Sequence, residues 1–344
     1  MLHYVKQYRK LKEAFNMVQP DLENGVYKTH LHSKRIVYKE DSEAEQFVSQ
    51  LIKSDYSNTV KVNVKRSIER VLNWTNNGSN HKYKGGLLLL NRSGDIKVFS
   101  FKNQLTKTYF KDCSRFEAFE ETINFFSPYF NTTILNIDQK QRTVMEQLIN
   151  TQPIIERSFD QQIQVVEQVI EQYDQYLSSQ HEKFYYINLD YYFDRFSNNS
   201  SINGLLSSLK TVVNQEELVP VVPMHSDLHF ENMLLKGDEL YLIDWEDCSN
   251  KIFYYDVLNI MFVEAFIRDD FRLIECYLNG QFDSSLIKLF QSCGLKFDPT
   301  CRDVYFYNYS IVRLESEVTL GESNIEDIIK AYQRFIDKFS GMAY

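Results

Sequence analysis

Asp227, Asn232 and Asp244 place three oxygen-bearing side chains in one short stretch, Pro223 to Glu246, which reads PMHSDLHFENMLLKGDELYLIDWE. Between the last two, the apolar runs Met233-Leu234-Leu235 and Leu240-Tyr241-Leu242-Ile243 flank Lys236-Gly237-Asp238-Glu239, and this pattern predicts a β-hairpin. A hairpin returns the chain to its start, so Asn232 and Asp244 are expected side by side, with Asp227 on the adjoining loop. Oxygen ligands gathered in one small volume suit a hard cation such as Mg²⁺, which keeps part of its coordination shell for substrate phosphates. Asn and Asp are also ordinary turn residues, so the bare spacing is weak evidence; the apolar hairpin that joins them makes it informative.

Taken with His225 and the run Ile243-Asp244-Trp245-Glu246, these residues resemble the catalytic loop and metal-binding Asp of the aminoglycoside phosphotransferase and choline kinase family, which is similar in fold to protein kinases. In protein kinases the matching loop has an Asp that accepts the hydroxyl proton, an Asn on the second metal and a further Asp on the metals. Carried over residue by residue, the resemblance makes Asp227 the catalytic base, with His225 bracing the same catalytic loop, and makes Asn232 and Asp244 the metal ligands. His229 and the Trp245-Glu246 pair after the metal Asp point to the small-molecule branch. Ser226 departs from the family, which often has Gly there, and is expected in a geometry that avoids φ > 0.

The resemblance implies an α+β, two-lobed, protein-kinase-like fold, with a small antiparallel β-sheet lobe and a larger, mainly helical lobe. It also implies an activity: transfer of the γ-phosphate of ATP, with Mg²⁺ as cofactor, to an alcohol group of a small molecule. Acceptor candidates are an aminoglycoside, choline or ethanolamine, a sugar and a cell-envelope precursor, with Glu246, Asp247, Glu315 and Glu317 available to a cationic one. A kinase-like pseudoenzyme or regulatory nucleotide-binding module, and a protein kinase, stand as alternatives.

The elements that must position these groups are read from periodicity. Residues 1–80 read as an N-terminal α/β extension with no assigned role: helices over 4–15, 42–52 and 62–74, and a strand pair over 26–31 and 35–38. Residues 81–149 read as the small nucleotide-binding lobe, with a meander over 87–90, 96–101 and 104–110, then strands over 133–137 and 142–145. Gly85-Gly86 and Gly94 are the glycines near its first turn, where the family's phosphate-covering loop would fall. The resemblance asks for a phosphate-contacting Lys on the third strand. Lys107 is the choice, because it shares a strand face with Leu105 and Tyr109, and Lys97 is the competitor. The next helix opens on Ser114-Arg115-Phe116-Glu117, a capping-box signature. Glu120 lies closest to its apolar stripe and is the expected partner of Lys107, ahead of Glu121 and Glu117. Glu146, Gln147 and Leu148 match the family's hinge, which holds adenine through backbone groups. Residues 150–344 read as the large lobe, with helices over 159–177, 202–212, 257–267, 270–278, 284–291, 304–314 and 325–339. Asp256 is either a helix N-cap or a residue that orients the catalytic loop.

Composition sets the outer bounds. The 344-residue chain is 43% hydrophobic and 15% aromatic, which excludes a disordered polymer. A net charge of −9 argues against a nucleic-acid partner, whose phosphates need basic surface. Five scattered cysteines without a C-x-x-C pair read as reduced thiols, with neither disulfide framework nor zinc site. The N-terminal residues lack a signal-peptide core and no apolar run is long enough to span a bilayer, so a cytoplasmic location without membrane span is expected.

Overall fold

The computed structural model describes residues 2–30, 34–53, 73–76, 83–91, 93–180, 184–196, 203–211, 218–320 and 325–341. Two units divide the chain: Met1–Asn124 with Thr132–Asn150, and Phe125–Asn131 with Thr151–Tyr344. Among the described residues no helix is long and apolar enough to cross a membrane. The five cysteines are free thiols.

The first unit is built on one sheet. Helix α1 (Leu2–Val18) leads into β1 (Gly25–His30) and β2 (Arg35–Tyr38), followed by α2 (Ser42–Lys53) and β3 (Asn73–Asn76). Then come β4 (Leu87–Leu90), β5 (Ile96–Ser100), β6 (Leu105–Tyr109), α3 (Cys113–Phe126), β7 (Ile134–Asp138) and β8 (Thr143–Gln147). The strands form an eight-stranded antiparallel sheet in the order β3-β1-β2-β4-β5-β6-β8-β7, and Arg35↔Leu89 and Val37↔Leu87 join the early strands to the later meander. Of the helix expected over 62–74, the part up to 72 lies outside the described residues, and Trp74 sits in β3, edge-on to Tyr8 and Phe15.

Alternation along the strands gives this sheet two apolar faces, and helices cover both. On one, Leu11, Phe15 and Val18 of α1 pack against Tyr27, Ile36, Leu88 and Val98. On the other, Ala44 and Val48 of α2 meet Val37 and Leu87, while Phe116 of α3 meets Phe110 and Val144. Helix α3 is capped by Asp112 rather than Ser114. Its Oδ1 accepts from the N–H groups of Ser114 and Arg115 at 2.9 and 3.2 Å, because the helix begins one residue before Ser114, which is therefore already inside it.

This layering overturns the pairing expected for Lys107. Lys107 pairs in register with Val98 and Met145, which puts it on the α1 face, whereas Val144, one residue along, faces α3. A strand side chain cannot reach across its own sheet, so no α3 carboxylate meets it. Lys107 Nζ instead lies 2.8 Å from Asp21 Oδ2, which also accepts from Tyr109 Oη, and Glu120 accepts from Gln139 Nε2 at 2.8 Å. Lys97, in register with Thr108, lies on the α3 face.

In the second unit, α4 (Phe159–Gln180), β9 (Tyr185–Ile187), α5 (Asp190–Arg195) and α6 (Asn203–Lys210) precede β10 (Val219–Met224). The hairpin β11 (Met233–Lys236) and β12 (Glu239–Leu242) comes next, then β13 (Ser249–Ile252) and the helices α7 (Tyr255–Arg268), α8 (Arg272–Leu278), α9 (Asp283–Ser292), α10 (Arg302–Leu320) and α11 (Ile325–Ser340). Strands pair antiparallel in the order β13-β10-β9. The hairpin closes through Lys236↔Glu239, with Gly237 at φ 63, the left-handed geometry that a Cβ disfavours. Helix α7 is buried throughout its first eleven residues, its polar Asp256, Asn259 and Glu264 included, as a helix at the centre of a core must be. Phe262 on it packs against Tyr309, Tyr332 and Phe335, which fixes α10 and α11 around it.

Asp21 and Lys107 are both nearly shut off from solvent, with side chains 9% and 14% exposed. Replacing Asp21 by Ala strands a buried ammonium and removes the acceptor of Tyr109. It is expected to cost about 3 kcal/mol of unfolding free energy, read from the shift of the urea midpoint, while Glu120→Ala shifts it by less than about 0.5 kcal/mol.

Candidate active site

β10 delivers the loop that carries His225 and Asp227, and its exit is held at several points. The carboxylate of Asp256, in the first turn of α7, accepts from the N–H of His225 at 2.8 Å, from the N–H of Ser226 at 2.9 Å and from Tyr173 Oη. Of the two roles open to Asp256, the structure supports the loop-orienting one: the residue preceding α7 is Tyr254, which makes no side-chain cap. Burial pushes the Asp256 carboxyl up, against the pull of His225 and of its three donors.

Ser226 takes φ 71, so the expectation of a geometry avoiding φ > 0 is corrected. Neighbouring amides of an extended chain point opposite ways, and bringing two of them onto one carboxylate requires a sharp turn between them. A Gly would adopt that turn freely; here the Ser hydroxyl helps to hold it, with Oγ 2.8 Å from Ser249 Oγ and accepting the Ser249 N–H at 3.2 Å.

His225 is fully buried, its ring 4.8 Å from that of Trp245. Its Nε2 lies 2.8 Å from the carbonyl of Ile243, which can only accept, so Nε2 carries the proton. The bond ties the loop to the residue before Asp244. Trp245 is in turn anchored by Nε1 to the carbonyl of Leu242 at 2.9 Å and by Phe126 at 4.7 Å between ring centroids.

The hairpin joins its outer ends as the sequence predicts. Ile243 N–H donates to the carbonyl of Asn232 at 3.0 Å, so Asn232 and Asp244 leave the ribbon as near neighbours. Asn232 is buried, and its Nδ2 donates to the carbonyl of Asp227 at 2.8 Å, which commits the amide nitrogen to the loop and leaves Oδ1 as the group offered to a ligand. Asp244 takes a left-handed conformation, φ 66 and ψ 50, and is exposed. Two such oxygen donors fit a hard cation that leaves most of its shell to water and phosphates. Among the described residues no group of three or more His, Cys, Asp or Glu forms a competing metal site.

Asp227 is about half exposed, at 47% of its side-chain surface. Desolvation pushes its carboxyl up, but His229, His225 and Arg313 together outweigh it and hold the group below its ordinary range. His229 Nε2 stands 3.8 Å from Oδ2, too far for a hydrogen bond but close for a charge. His229 Nδ1 accepts the N–H of Glu231 at 3.3 Å, and its Nε2 lies 3.3 Å from Asn232 Nδ2 as well as beside Asp227.

Other expected residues have different surroundings. Glu146 accepts from Thr133 and Thr108 at 3.0 and 3.4 Å, and the N–H groups of Gln147 and Leu148 donate to the carbonyls of Thr133 and Gln104. Among the acidic residues considered for a cationic acceptor, Glu315 lies 3.2 Å from Arg195 and Glu317 accepts from Arg313 Nε at 2.8 Å, so both are already neutralised.

Sequence reasoning missed a second support. Asn259 on α7 donates from Nδ2 to the carbonyl of Leu228 at 2.9 Å, and its Oδ1 accepts from Tyr309 Oη at 2.7 Å and from Arg313. A lone Asn within the apolar run that becomes α7 was the available signal, since a buried amide demands partners. Replacing Asp256 by Asn sets an amide N–H against the amides of His225 or Ser226. It is expected to cost roughly 3 kcal/mol in thermal unfolding, whereas Tyr173→Phe, which removes one donor, costs about 1 kcal/mol.

A model of the phosphotransferase enzyme family matches residues 196–286, the span that contains this loop and hairpin. No curated protein sequence matches the chain. Solved structures that superpose on it include a choline/ethanolamine kinase family protein from Mesorhizobium loti, with 11% identity over 74% of this chain and 87% of that one at a TM-score of 0.41. They also include the aminoglycoside phosphotransferase APH(3'')-Id from Streptomyces rimosus (13%, 64% and 90%, TM-score 0.36) and the choline kinase LicA from Streptococcus pneumoniae (13%, 73% and 91%, TM-score 0.36). Through residues 196–286, with His225, Asp227, Asn232 and Asp244 among them, the chain resembles the phosphotransferase enzyme family.

Proposed function

We propose that this chain is an ATP-dependent small-molecule kinase that moves a γ-phosphate to an alcohol group. The reading rests on one coincidence: the family match falls on the segment in which Asn232 holds the carbonyl of Asp227 while its own carbonyl holds Ile243, beside Asp244. In this proposal Asp227 accepts the proton of the acceptor hydroxyl as its oxygen bonds to the γ-phosphorus, and the bond from that phosphorus to the β–γ bridging oxygen breaks to release ADP. Asn232 Oδ1 and the Asp244 carboxylate would hold Mg²⁺, which neutralises charge on the phosphates. His225 positions the loop through Ile243.

Between the two lysines considered for phosphate contact, the proposal favours Lys97, which shares its sheet face with α3, over Lys107, which is tied to Asp21. That tie also favours a second reading, a nucleotide-binding module without transfer, in which the usual partnership of lysine and helix carboxylate is not used. The neutralised Glu315 and Glu317 weaken the case for a polycationic acceptor and leave sugars and other neutral alcohols in front.

ADP release with Mg-ATP and a panel of sugars, amino alcohols and aminoglycosides separates the readings. Turnover with one acceptor class is expected, falling at least about a thousandfold in Asp227→Asn with ATP affinity retained; ATP binding without turnover across the panel would favour the module. Because Asp227 is held below its ordinary range, activity is lost only as pH drops through its lowered pKa. Replacing His229 by Ala releases part of that hold, and the acid limb of kcat/KM is expected to move to higher pH.

A further inference from the structure

In the first unit, on the α1 side of the sheet, lies a cavity of about 290 Å³ that the phosphotransfer reading does not use. Its floor is apolar: Ala14 and Met17 of α1, with Leu90, Ile96 and Tyr109 from three adjacent strands. Its rim is cationic. Lys10 comes from α1, Lys34 from the turn before β2, and Lys111 from the end of β6, against one carboxylate, Glu13. A local excess of two positive charges stands out in a chain whose net charge is −9. Among the described residues none of these three ammonium groups has an ion-pair partner, whereas Lys28, Lys107 and Lys338 each do.

Gln7 also lines the cavity. The volume is near the lower end for small-molecule sites, which combine an apolar lining with a few polar groups that fix orientation.

We propose that this cavity is a binding site for a small amphipathic anion: a flat or aliphatic body over Ile96 and Tyr109, and a carboxylate, sulfonate or phosphate among Lys10, Lys34 and Lys111. The site belongs to the first unit alone, and nothing in it depends on the loop that holds Asp227.

8-Anilinonaphthalene-1-sulfonate has this chemistry, with an aromatic body and one anion, and its fluorescence reports binding. Saturable binding to the full chain is expected, weakened at least tenfold by the double charge reversal Lys10→Glu with Lys111→Glu, and weakened by salt as an exposed charge contact must be. Met17 is 54% exposed, so Met17→Trp narrows the cavity without disturbing the core and is expected to reduce binding as well. The uncharged N-phenyl-1-naphthylamine should bind more weakly to the native protein and be indifferent to the charge reversal. Thermal unfolding of each variant checks that it is folded, and Lys10→Gln with Lys111→Gln replaces the reversal if that fails. Absence of saturable binding, or binding unchanged in both the charge variant and Met17→Trp, overturns the proposal.

Discussion

The arrangement of the loop depends on one buried carboxylate. Asp256 gathers two consecutive amides and a phenol, and a carboxylate with two oxygens is the side chain that can accept all three at once. Taking that charge out of water is expensive, and the cost is recovered only because every lone pair used has a donor aimed at it. The consequence is a fixed exit from β10, from which the backbone of Asp227 emerges in one direction. The residues beyond that exit are equally constrained: Leu228 is held by Asn259, Asp227 by Asn232, and Ile243 by both His225 and Asn232. The loop and the ribbon are one hydrogen-bonded object, although Tyr173, Asp256 and Asn259, which hold it, lie outside that stretch.

A second tier lies behind the first. Asn259 is held by Tyr309 and Arg313 of α10, and Arg313 stacks over Phe262 at 4.8 Å while pairing with Glu317. Arg313 therefore has two effects on Asp227. It supports the neighbouring carbonyl through Asn259, and its charge helps to keep the carboxyl ionised. Helix α10 reaches the site without supplying a residue that touches substrate in the proposed reaction, which is why its contribution is invisible from the motif alone.

The parts legible in the sequence were those governed by local rules. The hairpin around Gly237 was readable because apolar runs flank a turn that tolerates positive φ, and the α4, α7 and α11 helices because their apolar periods are long. The position of Lys107 was readable as a strand residue but its partner was not. Which face of a two-faced sheet receives α1 and which receives α3 is decided by packing between segments far apart in the chain, and Asp21 lies at a distance of 86 residues from Lys107. The cap of α3 failed for a smaller reason: Asp112 and Ser114 are both good caps, and one residue of displacement decides between them. Asp256 was visible as an acid of two possible uses, since its three donors arrive from α4 and from the loop and leave no trace in local sequence.

Ser226 has a consequence for rigidity. A glycine at φ 71 would leave the unfolded chain more conformations to lose and the native loop more room to fluctuate. A serine narrows both ensembles, at an intrinsic cost of about 1 kcal/mol for left-handed backbone that the bridge to Ser249 partly offsets. The hydroxyl thus ties the turn that precedes Asp227 to the first residue of β13 by hydrogen bonds that a glycine could not make.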